Sequence, residues 1–398
     1  MTPRIYLDNS ATSFPKPASV LQAMTRFATE LGASPGRGAY AESREAGALL
    51  DECRKRINRL IHGEDPRHVI FTLNASDALN LAIRGVLRPG DHVITTWMEH
   101  NSVLRPLNRL AEVHGIEQTR IECDPSTGLV DPDDIARAIR PSTRLIALVH
   151  GSNVTGTLQP ITDVGRIARE HDITFVVDAA QSIGHVPIDV QNSAVDLLAF
   201  PGHKGLLGPL GTGALYIRPG IEARMQTIRE GGTGSVSDLD VQPGFLPDRF
   251  EPGSHNAIGL IGLSAGVAWL LERGVESLWQ HERELTELMT SGLRELPGVT
   301  LYGPRGCEHR TGVFSIRIEG IREPQALSDR LEAEFGLLTR SGLHCAPLAH
   351  RTIGTAALGG TTRLSFGPFL TRADVERALQ GLAAVAKSGS RSHGPYVS

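Results

Sequence analysis

Between about residues 68 and 218, short apolar runs alternate with amphipathic stretches, and this pattern limits the chain to few architectures. The runs are HVIFTL, DHVITTW, RLIALVH, ITFVVD, VDLLAF and GALYI. Each is rich in Val, Ile and Leu and is bounded by Gly, Asp, Pro or Asn. Between some of them lie DALNLAIRGVL, DPDDIARAIR and DVGRIARE, with apolar residues at helical spacing. Runs this short, bounded by turn residues, read as strands, and their unbroken apolar character predicts cover on both faces. Strand, helix, strand repetition is the signature of an α/β fold with a parallel sheet.

The pattern changes after about residue 255. IGLIGLSAGVAWLLERG and SLWQHERELTELMTSGLREL predict long helices. Strands TLYGP and GVFSIRIEG follow, then helix PQALSDRLEAEFG, then short strands GLLTRS and TRLSFG. A last helix opens at TRADVERALQGLAAVAK, where Thr371 and Asp374 have capping-box spacing. This is an α+β pattern and predicts a second, smaller domain. The tail SGSRSHGPYVS, residues 388–398, is polar with Gly and Pro and is expected to be disordered.

Composition narrows the function classes. A net charge of −4 over 398 residues gives no electrostatic case for nucleic acid or an acidic membrane surface. No apolar run approaches the roughly 20 residues needed to span a bilayer. The first residues, MTPRIYLDNSATSFPKP, lack the apolar core of a secretory signal. Cys53, Cys123, Cys307 and Cys345 lie far apart with no CxxC, against both a disulfide framework and a metal site. A reducing cytoplasm is the expected location.

Ligands of open parallel sheets sit beyond the carboxyl ends of the strands. The residues just past each run are therefore the candidate site. After HVIFTL comes Asn74-Ala75-Ser76-Asp77, which reads either as a phosphate-binding helix start or as a plain helix cap by Asn74 or Ser76. After DHVITTW comes His100, a base, a stacking ring or an ordinary surface histidine. Asn153 lies in a glycine-flanked loop that also reads as a turn. Asp178 closes a buried strand, where a carboxylate is costly unless paired. Lys204 lies among glycines at another strand end, either a solvated loop lysine or a desolvated nucleophile able to form a Schiff base. The pair is more telling than either residue. An Asp for a pyridine nitrogen and a Lys for an imine are what pyridoxal phosphate requires.

Taken together, these residues resemble a known family. Asp178-x-x-Gln181 followed by Gly202-His203-Lys204 is similar to the fold-type I pyridoxal-phosphate enzymes of aminotransferase class V. Within that class the chain resembles the cysteine desulfurase and selenocysteine lyase group. YLDNSATSFPKP, MEHNSVL, SNVTGT, VDAAQS, GHKGLLGPLGTG, RFEPGSHN, RSGLHCAPL and TRLSFG carry the likeness in order, over about residues 5 to 385. The resemblance implies a large doubly wound, mostly parallel domain over 16–255. A small α+β domain would comprise 1–15 and 256–387.

It also implies roles. Lys204 would hold the cofactor and later move the substrate's α proton. Asp178 would pair with the pyridine nitrogen, Gln181 with the phenolic oxygen, and His100 would stack on the ring. Ala75, Ser76 and His203 would bind the phosphate, with Ser254 supplied by the neighbouring protomer of a homodimer. Asn153 and Arg363 would hold the substrate, Arg363 through its carboxylate. Cys345 would take the substrate's sulfur and become a persulfide. Arg340 and His344 beside it suit a reactive thiol, although a free Cys is more often inert. Relatives often carry Ser where Pro201 stands, a second hydroxyl where Ala75 stands, and Thr where Ser254 stands. The phosphate would then lean more on backbone and on Ser254.

The activity implied is cysteine desulfurase, with L-cysteine as substrate and a sulfur-acceptor protein as further partner. Selenocysteine lyase or another C–S β-lyase is the alternative. An aminotransferase or epimerase has no use for Cys345, and an idle scaffold has none for Lys204 with Asp178.

Overall fold

The computed structural model describes residues 4–36, 38–236, 238 and 240–389. All six apolar runs are strands of one seven-stranded sheet. Its order is Val69–Thr72, Gly213–Ile217, Leu197–Pro201, Thr174–Asp178, Thr143–Val149, His92–Thr96, Glu117–Ile121. Gly213–Ile217 runs antiparallel to both neighbours; the other pairs are parallel. The seventh strand, EQTRI, is absent from the apolar pattern because it lies at the edge with only Ile121 buried. An edge strand needs no apolar residues on both faces.

Helices cover both faces. Ala75–Val86 and Asn101–His114 pack on one face, while Ala41–Leu60, Ile161–Glu170 and Ala257–Arg273 pack on the other. Local chemistry also sets the starts of helices Pro132–Arg137 and Arg372–Gly389. Asp131 accepts from Asp133 N–H ahead of Pro132. Thr371 Oγ1 accepts from Asp374 N–H at 3.3 Å while Asp374 Oδ2 accepts from Thr371 N–H at 3.0 Å, a reciprocal cap.

The C-terminal part builds a separate antiparallel sheet in the order Arg340–Gly342, Thr361–Ser365, Val313–Ile318, Val299–Tyr302. Helices Val275–Glu295, Pro324–Phe335 and Arg372–Gly389 share its apolar core. Ile5–Tyr6 joins this part by pairing with Leu337–Leu338. Ser388 and Gly389, assigned to the tail from sequence, instead finish the last helix. The rest of that tail lies outside the described residues.

Candidate active site

Six of the seven strands point the same way, so their carboxyl ends share one rim. From His92–Thr96 the chain goes outward to Glu117–Ile121, then returns to the other side as Thr143–Val149. This reversal opens a crevice at the rim. A cleft with about 520 Å³ of empty space, mouth included, lies there. Ala75, Ser76, His100, Asn153, Asp178, Gln181, His203 and Lys204 all line it. Cys345, Arg363 and Ser254 are not in its wall.

Asp178 is the last residue of its strand and is 3% exposed. Its Oδ1 accepts from Ala180 N–H at 2.9 Å. Burial raises its pKa, and the Ala180 bond and the Lys204 charge oppose that rise. Lys204 follows the neighbouring strand, and its Nζ makes no hydrogen bond among the described residues. Burial brings its pKa down to about 8; Asp178 opposes the fall, while Arg363 and Arg340 add to it. Gly205 allows this placement. A Cβ there would lie 2.0 Å from the Ile183 carbonyl, so only glycine lets the lysine turn lie against the turn that follows Asp178.

The N-terminal segment straps the site. Ser13 N–H and Thr12 Oγ1 both donate to the His203 carbonyl at 3.0 Å. Gln181 Nε2 donates to the Ser10 carbonyl at 3.0 Å, leaving its second amide proton for the cleft. Burial takes the His203 ring to about 4, hence neutral, and its Nδ1 is buried with no hydrogen-bond partner among the described residues.

Arg363 and Cys345 join the cleft through Asn153. Arg363 Nη1 donates to the Asn153 carbonyl at 3.1 Å, and Nη2 pairs with Asp8 Oδ1 at 2.6 Å. Asn153 Nδ2 donates to the His344 carbonyl at 2.6 Å, so this amide holds the cysteine loop. The Cys345 carbonyl accepts from Asn101 N–H at 2.9 Å. His344 and Cys345 both have positive φ, 50° and 57°. The thiol is exposed, whereas Cys53 and Cys123 are buried and pushed up to about 12. Two consecutive left-handed side-chain residues are costly backbone, persisting only where surrounding contacts hold them.

At the opposite wall, Asn74 Oδ1 accepts from Asp77 N–H at 3.0 Å. Asn74 is therefore the cap, and Ser76 is left facing the cleft. Its Oγ lies 2.5 Å from Ser102 Oγ, which in turn lies 2.9 Å from His100 Nδ1. Burial, with Lys204 and nearby arginines, drives the His100 pKa down to about 4. Ser254 lines two other hollows and is not in the wall of the cleft.

The aminotransferase class-V family matches this sequence over residues 5–378. The chain belongs to the aminotransferase class-V family. It is 34% identical to a probable cysteine desulfurase of Methanothermobacter thermautotrophicus, covering 97% of this chain and 95% of the relative. It is 33% identical to a cysteine desulfurase of Yersinia pseudotuberculosis over 97% and 94%. Its fold is similar to the apo cysteine desulfurase of Thermococcus onnurineus, with a TM-score of 0.91 at 34% identity over 97% and 95%. The Escherichia coli cysteine desulfurase CsdA, solved in an S-sulfonic acid form, superposes with a TM-score of 0.85 at 27% identity, over 97% and 95%.

In this class-V chain three site residues escape a reading of the sequence. Asp8, the partner of Arg363, lies in a segment remote in sequence, and only its place in YLDNSAT points to it. Ser102 reads as a first-turn helix residue, though MEHNSVL contains it. Glu99, beside His100, is fully buried; burial raises its pKa to about 8, while Thr96 Oγ1 and Val149 N–H donate to its Oε1.

Proposed function

We propose that this protein is a pyridoxal-phosphate-dependent cysteine desulfurase. The carrying observation is one cleft that joins Lys204 and Asp178 and, through Asn153, holds both Arg363 and the loop of an exposed Cys345. The similarity to cysteine desulfurases over nearly the whole chain supports the same reading.

The residues fit the cofactor. Asp178 offers a buried carboxylate for a pyridine nitrogen, and Lys204 a desolvated amine. Gln181 has a spare amide proton for the phenolic oxygen, and His100 offers a neutral ring to stack. The orphaned His203 Nδ1 and the helix start at Ala75-Ser76 suit the phosphate. When bound, pyridoxal phosphate withdraws electrons from the amino acid's Cα, which acidifies the α proton and loosens the Cβ–S bond.

The chain's own groups do the rest. Lys204 Nζ, at about 8, gains or loses a proton near neutral pH and moves the substrate's α proton. Arg363 takes the substrate carboxylate, Nη1 and Nη2 each keeping one N–H beyond the bonds to Asn153 and Asp8 that fix the fork. Cys345 Sγ attacks the substrate sulfur: the Cβ–S bond breaks, an Sγ–S bond forms, and a proton replaces sulfur on Cβ. L-Cysteine and the thiol give L-alanine and a Cys345 persulfide. Exposure of Cys345 suits onward transfer to an acceptor protein. The cysteines are free and far apart with no CxxC, which supports a reducing cytoplasm as the location. Ser254, exposed and not in the wall of its own cleft, suits donation to a second protomer in a homodimer.

The test is alanine and sulfide released from L-cysteine with a thiol reductant. Wild type should release equal amounts, and both should be lost in Lys204→Ala and Cys345→Ala. Pyruvate in place of alanine, or release untouched by Cys345→Ala, would instead identify a C–S lyase.

A further inference from the structure

The turn that carries Cys345 is held from outside the cleft as well. The bonds from Asn153 and Asn101 act on its backbone, at the His344 and Cys345 carbonyls. The His344 ring is held separately. It is buried, while the next side chain, Cys345, is exposed. It lies against the ring of His350, with centroids 5.4 Å apart and planes tilted by 31°. His350 is fully buried and stands on the short helix Pro347–Thr352, just past the cysteine.

The polar groups around the two rings have one consistent order. Burial drives both rings below their ordinary pKa, so both are neutral. The Arg340 carbonyl, 3.5 Å from His344 Nε2, can only accept, so Nε2 carries the ring proton and Nδ1 is bare. His350 Nε2 therefore donates to His344 Nδ1 at 3.3 Å. That leaves His350 Nδ1 to accept from Thr355 Oγ1 at 2.7 Å; the other acceptor near this hydroxyl, the His350 carbonyl, is at 3.4 Å. Thr355 is itself fixed, its N–H donating to the His350 carbonyl at 2.8 Å and its carbonyl accepting from Gly360 N–H at 3.0 Å.

His344 and Cys345 both occupy left-handed backbone, which a residue with a side chain keeps only under constraint. Neither His350 nor Thr355 lines the cleft, and the sulfur chemistry uses neither. Their one route to it is the turn. A pinned His344 ring holds the backbone from which the Cys345 side chain leaves.

We infer that His350 is a positioning residue for sulfur transfer: by holding the His344 ring, it fixes the strained turn that aims Cys345 Sγ. This rests on the desulfurase reading above. Without His350 the turn is free to leave the left-handed region, and Sγ moves with it. Misplacing a reacting atom by about 1 Å costs on the order of a hundredfold in rate.

The test uses holoenzyme and two readouts. Exchange of the α proton of L-alanine in D2O, followed by NMR, needs Lys204 and Arg363 but no thiol. Persulfide formed on Cys345 from L-cysteine, followed by mass spectrometry, needs the thiol as well. His350→Leu should keep exchange close to the wild-type rate and slow persulfide formation about tenfold to a hundredfold. His350→Gln, whose amide N–H can replace the Nε2 donor, should recover most of the loss. Thr355→Val removes only the hydroxyl that orients the ring and should slow persulfide formation about three- to tenfold, the range of one modest hydrogen bond. Wild-type persulfide rates in His350→Leu, or in Thr355→Val where His350→Leu does not fold, would overturn the inference. Equal slowing of both readouts would also overturn it, because that marks a general structural role. Wild type that forms no persulfide would instead sink the desulfurase reading, a separate result.

Discussion

Replacing Asp8 with Asn removes a charge while keeping size and one hydrogen-bond acceptor. The Arg363 side chain is 1% exposed and that of Asp8 is 22% exposed. Without the carboxylate, the guanidinium keeps the Asn153 carbonyl at 3.1 Å, and its Nε has no hydrogen-bond partner among the described residues. Breaking a buried pair by removing one partner costs about 3–5 kcal/mol. Water reaches the Asp8 side, and the new amide oxygen still accepts, so the expected cost here is about 2–3 kcal/mol. Unfolding entropy runs at roughly 2.1 cal/mol/K per residue. For a chain of 398 residues the loss becomes a Tm lower by about 3 °C. Thermal scans of wild type and Asp8→Asn, at matched scan rate and cofactor loading, read this directly. On the proposed reading, excess L-alanine should raise the Tm of the variant more than that of wild type, because its carboxylate answers the uncovered guanidinium. A variant Tm within about half a degree of wild type would refute the reasoning, since an uncompensated buried charge cannot be that cheap.

Three further outcomes rest on other contacts. In apoprotein, reductive methylation of Lys204 should rise through a midpoint near pH 8, and Asp178→Asn should lower that midpoint because Asp178 holds the lysine pKa up; a midpoint near the ordinary lysine value, about 10.4, would contradict it. Gly205→Ala drives a Cβ to 2.0 Å from the Ile183 carbonyl and should cost about 3 kcal/mol or more, read as lower Tm and poor cofactor content; normal values for both would count against the packing argument. His185 is buried 2.8 Å from Glu282; burial alone would lower its pKa, but the carboxylate raises it above the ordinary value. A raised folded pKa gives stability that is full below about pH 6.5 and lost as pH climbs through the folded value. The Tm gap between wild type and Glu282→Gln should therefore shrink as pH rises above about 6.5, and a constant gap would show that His185 is not charged in the fold.

Much of this site can be read from the sequence for a physical reason. Asp178 ends an apolar run and His100, Asn153 and Lys204 each come a few residues after one, and a parallel sheet gathers such positions on one rim. The pattern fails where function depends on chain remote in sequence. Asp8 reaches Arg363 across 355 positions, and no local periodicity marks it. Ser102 looks like any first-turn serine until the two helix starts are seen to meet. Glu117–Ile121 lacks the apolar signature because an edge strand can stay open to water. The Asn74 and Ser76 readings are equivalent in sequence; geometry separates them by giving the cap to Asn74 and the cleft to Ser76.

The central claim is that this cleft passes sulfur from an amino acid to Cys345. The most direct measurement is mass spectrometry of the Cys345 peptide after one turnover with L-cysteine and no reductant. The account predicts one added sulfur atom on Cys345 in wild type and none in Lys204→Ala. An unmodified Cys345 in wild type that has nonetheless released alanine would contradict it.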